Sequence, residues 1–591
     1  MKQFFKFLFA SCLGTIVALV VLSLVSIGII STLASQADQV KPIGANSVLH
    51  LKLNQVLPEL TNNAEIDPFD LENQKVLGIS DITYAIDQAA QDDRIQGIFI
   101  EVDMLPAGFA SAGVLREALD QFKAKSGKFI IAYSKYYTQG AYYLSSVADE
   151  IYVHPVGVVD FRGFGVQIPF LKNLLDKLGV KMQVFYAGKF KSATEPYRRT
   201  DMSPENKEQL REYINAFYDK LLNDISASRN ISKSELHRIA DNYLAGDVQN
   251  ARELGIVDFV GYREDALASM RVKLGLEEDA KIKTVSLLEV FNNHPRRVDL
   301  SIKNKIAVIY AEGNIVDGDG GLGAVGDDKY VKIINELAED DRVKAVVLRV
   351  NSPGGSAMAS ESIWEALTRL KEAGKPLVVS MGDYAASGGY YISSPADSIF
   401  TQDATLTGSI GVFSVIPSIQ GLMNDKLGVT FDSVKTGHFA TGIGIINPLD
   451  ERESRFMQAR TNELYRLFKT RVSEGRGISP EQVEEIAQGR VWVGQKAVEL
   501  KLADKVGTLD DAIASAARLA DIEDDFRLSS YPVVKEPLIE FIESFLGDEQ
   551  VRHNYIAKSK LEDLYPYYEY FEELKNAEGP QARLPFLMPF E

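Results

Sequence analysis

Cysteine is nearly absent from this chain. Cys12 is the only one in 591 residues, which excludes an internal disulfide and any cysteine-based zinc site. Basic charge is also short, with 64 Lys and Arg against 82 Asp and Glu and a net charge of −18. No basic stripe is visible, so nucleic acid is not the expected partner. Histidine occurs only six times, and none lies between His294 and His438. Charge of either sign is missing from Phe7 to Ala37. That stretch is rich in Leu, Val and Ile and exceeds the roughly 20 residues that span a bilayer as a helix. Lys2 and Lys6 precede it and Asp38 follows, which predicts an N-terminus inside and the remaining chain outside. A cleavable leader ending near Ala34-Ser35-Gln36-Ala37 is the competing reading. The apolar run is longer than a leader needs, so an uncleaved anchor is expected. Phe9-Ala10-Ser11 before Cys12 faintly resembles a lipidation site, but too little apolar chain precedes it.

What the chain does contain is a second copy of itself. Asp92-Asp93-Arg94 followed by IQGIFIEV corresponds to Asp340-Asp341-Arg342 followed by VKAVVLRV. GAYYLSSVADEIY from Gly140 corresponds to GGYYISSPADSIF from Gly388, and DKLGV occurs at Asp176 and again at Asp425. GIVDFVG ending at Gly261 matches LADKVG ending at Gly507. Such constant spacing marks a tandem duplication. The expected divisions are a stub and anchor over 1–44, a first repeat over 45–296, a second over 297–525, and a tail over 526–591 that matches nothing in the first repeat.

Each copy alternates apolar strands with helical patterns. In the second, KIAVIYAEG and KAVVLRV read as buried parallel strands, 330–337 and 360–371 as helices, and PLVVSMG as the next strand. This order predicts an α/β fold with right-handed crossovers. A long amphipathic helix is expected over 451–474.

Two segments of the second copy carry chemistry. Asn351-Ser352-Pro353-Gly354-Gly355-Ser356 follows a buried strand, and its paired glycines can turn the backbone sharply and present amides to an oxyanion. A plain strand-to-helix turn would look the same. Ser387, within Ala385-Ala386-Ser387-Gly388-Gly389, stands at a strand-to-helix junction among small residues. That suits a nucleophile whose following amide joins an oxyanion hole, and it also suits a helix cap. A nucleophilic serine needs a base. His438 is one candidate; a lysine made neutral by burial is the other.

These motifs, duplicated behind an apolar N-terminal segment, resemble the long form of the signal peptide peptidase A family. The resemblance runs to about residue 520, and the NSPGG loop is also similar to that of Clp-type proteases. It implies tandem crotonase-like, ClpP-like α/β domains and a Ser–Lys dyad. The implied base is Lys191, in Phe190-Lys191-Ser192-Ala193-Thr194-Glu195-Pro196, where Phe190 replaces the family's tyrosine. Ser409, in Gly408-Ser409-Ile410-Gly411, is implied to orient the amine, and Gly355 and Gly388 to supply the oxyanion hole. Nearby Lys189 is expected to help lower the Lys191 pKa by repulsion. The repeat register places Ser387 opposite Gln139 and Lys191 opposite Ala440, so each copy lacks what the other keeps. The resemblance further implies cleaved signal peptides and other short unfolded or membrane-derived peptides as substrates. It implies a homotetramer with its sites outside the bacterial cytoplasmic membrane, and no metal or organic cofactor. Two other readings are an acyl-CoA hydrolase or hydratase on the same fold, and a non-catalytic membrane scaffold.

Overall fold

The computed structural model describes residues 6–7, 14–15, 40–63, 75–296, 299–534 and 580–583. The apolar stretch expected to anchor the chain lies almost wholly outside them, as does most of the tail. Among the described residues no helix is long and apolar enough to cross a membrane.

Strands are numbered along the chain. The first sheet contains β1 (Ser47–Leu51), β2 (Ile95–Ile100), β3 (Phe129–Tyr137), β4 (Glu150–Val159), β6 (Phe259–Val260) and β7 (Lys283–Ser286), in the order β6-β4-β3-β2-β1-β7. Every pairing in it is parallel. The second copy builds its sheet from β8 (Lys305–Glu312), β11 (Val343–Ser352), β13 (Leu377–Ala386), β14 (Ser398–Thr401), β18 (Lys505–Val506) and β19 (Arg527–Tyr531). Its spatial order, β18-β14-β13-β11-β8-β19, repeats that of the first copy strand for strand. The duplication read from sequence is therefore a duplication of topology. Arg527–Tyr531 belongs to this sheet, which carries the second repeat past residue 525. β15 (Leu406–Gly408) extends the sheet beside the end of β13 in parallel, and β17 (Val491–Val493) pairs antiparallel with β15 at its margin.

Buried β-branched runs make these strands. β11 is covered on both faces, as parallel sheets in α/β folds require. Helices Asp327–Glu339 and Ala357–Glu372 pack their apolar stripes on one side, and Leu509–Leu519 covers the other. The long helix spans Glu451–Arg476, capped by Asp450, and buries Tyr465, Phe468 and Val472 on the second core.

A third sheet, mixed in direction, joins the two copies. Its order is β10-β9-β12-β20-β16-β5, with β5 (Lys181–Ala187) from the first copy and β9 (Asn314–Val316), β10 (Ala324–Gly326), β12 (Gly354–Ser356) and β16 (Val412–Ser418) from the second. β20 is Gln581–Arg583. A buried polar cluster also crosses between copies. Arg349 makes a bidentate ion pair with Glu59, at 2.9 and 3.0 Å, and both residues are buried. Asp383 accepts from the Ser111 amide and hydroxyl, and Glu312 accepts from the Glu59 amide and the Asn63 side chain.

Candidate active site

β13 ends at Ala386, and the helix Gly388–Ser393 begins one residue later. Ser387 makes the turn between them at φ 55°, ψ −114°, a conformation costly for a residue with a Cβ. It is held by its amide donating to Gly408 O at 2.8 Å and by Tyr391 N donating to Ser387 O at 2.8 Å. Strain of this kind at a strand-to-helix elbow projects the serine oxygen away from the sheet.

The lysine arrives from the other copy. β5 runs antiparallel to β16, from Ala187 opposite Val412 to Lys181 opposite Ser418. This carries the following loop, with Lys191, over the end of the second sheet. Phe190 N donates to Gln488 O at 2.8 Å, and a Cβ built on Gly489 would come within 2.7 Å of Lys191 N. The Gln209 side-chain amide donates to Phe190 O and Ser192 Oγ, while its oxygen accepts from Val491 N. Backbone of the second copy thus presses directly on the lysine loop. Phe190 is buried and stacks under the Arg490 guanidinium, a role that needs no tyrosine hydroxyl.

Lys191 Nζ lies 2.8 Å from Ser387 Oγ, 3.1 Å from Ser409 Oγ and 3.2 Å from Ser409 O. The lysine is 1% exposed and Ser387 0%. Among the described residues no carboxylate pairs with the amine. Burial alone lowers its pKa to about 7. The expected help from Lys189 is absent: its ammonium sits over the Phe190 ring, and burial is the sole cause of the shift. When charged, the amine can donate to all three oxygens. When neutral, it can keep two donations to Ser409 and turn its lone pair toward the Ser387 hydroxyl. That arrangement can take a proton from the serine.

The glycine amides lie beside this pair. A Cβ built on Gly388 would stand 3.1 Å from Gly355 N, and one on Gly354, at φ 101°, would stand 2.6 Å from Gly388 N. The amides of Gly355 and Gly388 therefore lie close together in one tight space, bordered by the Ala582 carbonyl oxygen, where a side chain on Gly354 would collide. His438 is elsewhere: it is exposed and bonded to Asp450 at 2.8 Å, at the start of the long helix. Gly489, Gln209 and the β20 segment had no signal in the sequence, because each matters only through a contact across hundreds of residues.

Comparison with known proteins identifies the family. The model for Peptidase family S49 matches the chain twice, over residues 122–277 and 369–523, with Lys191 in the first stretch and Ser387 in the second. The chain belongs to peptidase family S49. It is a duplicated serine peptidase. Protease 4 of Haemophilus influenzae is 36% identical over 462 residues, covering 77% of this chain and 75% of that protein. Protease 4 of Salmonella typhi is 38% identical, covering 75% and 72%. The chloroplastic serine protease SPPA of Arabidopsis thaliana is 32% identical, covering 74% and 64%. A Listeria monocytogenes ClpP1 structure is 13% identical at a TM-score of 0.24, too distant to bear on the fold.

Proposed function

We propose that this S49 peptidase is a membrane-anchored endopeptidase that hydrolyses peptide bonds with a Ser387–Lys191 dyad. The observation carrying this reading is the 2.8 Å approach of a buried amine to a strained serine hydroxyl. Lys191 removes the proton as Ser387 Oγ attacks the peptide carbonyl. The amides of Gly355 and Gly388 hold the oxyanion. Lys191 then protonates the leaving amine and activates the water that frees the acyl group. Ser409 holds the amine on line. Peptide substrates of low polarity suit the cleft, which opens on a cavity of about 680 Å³ bordered by Val412, Met457, Leu464 and Phe468. Cleaved signal peptides outside the cytoplasm are of that class, and the uncharged stretch Phe7–Ala37 supports anchoring nearby.

We further propose a homotetramer. The first DKLGV repeat meets the segment just before the second, where Leu422 N donates to Gly179 O at 2.9 Å. The helices there, Lys172–Leu178 and Leu422–Leu427, bury no side chain. Leu174, Leu178, Leu427, Phe431 and Val434 are exposed around them. β5 of the first copy pairs with the second copy, but its counterpart near 430–436 forms no strand. A neighbouring chain can supply the missing partner, and such head-to-tail contacts close into rings.

The deciding experiment combines a fluorophosphonate probe with peptide hydrolysis. Ser387→Ala should abolish labelling, and Ser387→Ala and Lys191→Ala should each lower turnover at least about 10³-fold. Unchanged turnover in both would overturn the dyad. Loss in His438→Ala but not Lys191→Ala would move the base to histidine.

A further inference from the structure

Two supports of the Lys191 amine, Phe190 beside it in the chain and Ser409 across from it, meet at a single residue, Arg490. Gln488 at φ 57° and Gly489 at φ 76° are left-handed in succession and turn the backbone toward β17, and Arg490 follows them. Its carbonyl accepts from Ser409 N at 2.7 Å. Ser409 is itself left-handed, at φ 48°, a conformation that a residue with a Cβ keeps only when it is held from outside. The Arg490 side chain reaches the first copy. Its guanidinium lies 4.6 Å from the Phe190 ring centroid and 4.5 Å from that of Trp492. Trp492 is fixed in turn by its indole N–H donating to Ile486 O at 2.9 Å. Arg490 Nη2 donates to Glu208 at 3.0 Å and Glu212 at 2.6 Å, both on the first-copy helix Pro204–Arg229. Arg490 Nε is buried and has no hydrogen-bond partner among the described residues, so ring contacts place that edge of the group. A guanidinium can stack on two rings and keep N–H groups for carboxylates, which an ammonium cannot.

We propose that Arg490 is the positioning residue of the dyad: its guanidinium clamps the lysine loop, its carbonyl holds Ser409, and together they keep the amine in register across the two copies. The proposal rests on the dyad reading above. The charged groups around the lysine loop are Lys189, Glu195, Arg198, Glu208, Glu212 and Arg490, and none of them enters the lowering of the Lys191 pKa, which burial alone causes. Arg490 therefore acts on the amine through packing. Without the guanidinium, space opens beside Phe190, water reaches the amine, and hydration favours its charged form. A higher pH is then needed to make it a base.

Peptide hydrolysis by the full chain, measured from pH 6 to 10, tests this. In Arg490→Met the rising limb of kcat/KM should move up by at least about one pH unit, with KM within about twofold of the wild type. Turnover should fall at pH 7 and recover at high pH. Arg490→Lys keeps a charge for Glu208 and Glu212 but loses the double stack, and should not restore the midpoint. Phe190→Leu removes the same stack from the other side, so adding it to Arg490→Met should move the midpoint little beyond the larger single shift. Glu208→Gln with Glu212→Gln, made at exposed positions, frees the guanidinium and should move the midpoint the same way; this pair decides the matter if Arg490→Met does not fold. A midpoint unmoved in the folded variants, with or without lost turnover, would overturn the positioning role. So would return of the wild-type midpoint in Arg490→Lys. Turnover that persists in Lys191→Ala with the same rising limb would instead overturn the dyad.

Discussion

A lysine side chain buried without a carboxylate is an expensive thing to fold. Holding Lys191 charged in its site would cost roughly several kcal/mol, more than hydrogen bonds to Ser409 return. The amine therefore titrates at about 7, against an ordinary 10.5. Two outcomes follow. Peptide kcat/KM should rise with pH through about 7, as Lys191 becomes neutral; a profile flat from pH 6 to 8 would contradict this. Between pH 7 and 10.5 the unfolded chain holds more protons at this position than the folded one, so stability gains with pH there. Lys191→Met should be inactive, should remove that slope, and should melt at or above the wild-type temperature near pH 7. Ser387 carries its own cost in positive φ. Ser387→Gly should accordingly stabilise the fold while removing activity, checked by thermal melts.

Elements bring the two residues together, and the contacts that do so lie on backbone. Gly489, at φ 76°, leaves no room for a side chain against Lys191 N and Cα. Gly489→Ala should displace the lysine loop and lower kcat by about 10² while KM changes little, because geometry near the amine is lost and the cleft is not. Equal losses in KM alone would show that the loop is free to adjust. The cluster of Glu59, Arg349 and Glu312 also fastens the two copies together. Burial and the Glu59 charge push Glu312 up to about 8. The unfolded chain gives up that proton near 4.5, so the folded state holds more protons between pH 4.5 and 8 and stability falls as pH rises across that window. Glu312→Gln should flatten this fall in denaturant midpoints measured at pH 5 and pH 8.

At the scale of the whole molecule, each of the two copies holds one of the two residues that meet, Lys191 in the first and Ser387 in the second. The second copy alone, residues 297–534, keeps Ser387 and the glycine loop but lacks Lys191, and it leaves Arg349 without Glu59. It should be inert in peptide hydrolysis and less stable than the full chain; detectable turnover would overturn the divided site. Assembly is tested at the same scale. Phe431→Glu with Val434→Glu, on the exposed apolar face, should lower the mass measured by light scattering without changing the circular dichroism spectrum.

Much of this was legible from the chain alone. Apolar period and spacing sufficed for the strands, the helices and the duplication, because burial in a parallel sheet demands β-branched runs at fixed intervals. The small residues around Ser387 and the glycine pair at Gly354 were visible because tight backbone leaves a compositional trace. Gln209, Gly489, the Glu59–Arg349 pair and the placement of Pro580–Arg583 left none. Their partners lie hundreds of residues away, and no local pattern encodes which distant backbone a side chain will meet. The base itself divides along the same line. The sequence by itself held Lys191 and Ser387 as candidates in separate copies; only the folded β5–β16 pairing brought the amine to 2.8 Å from the hydroxyl, and only burial lowered its pKa to about 7.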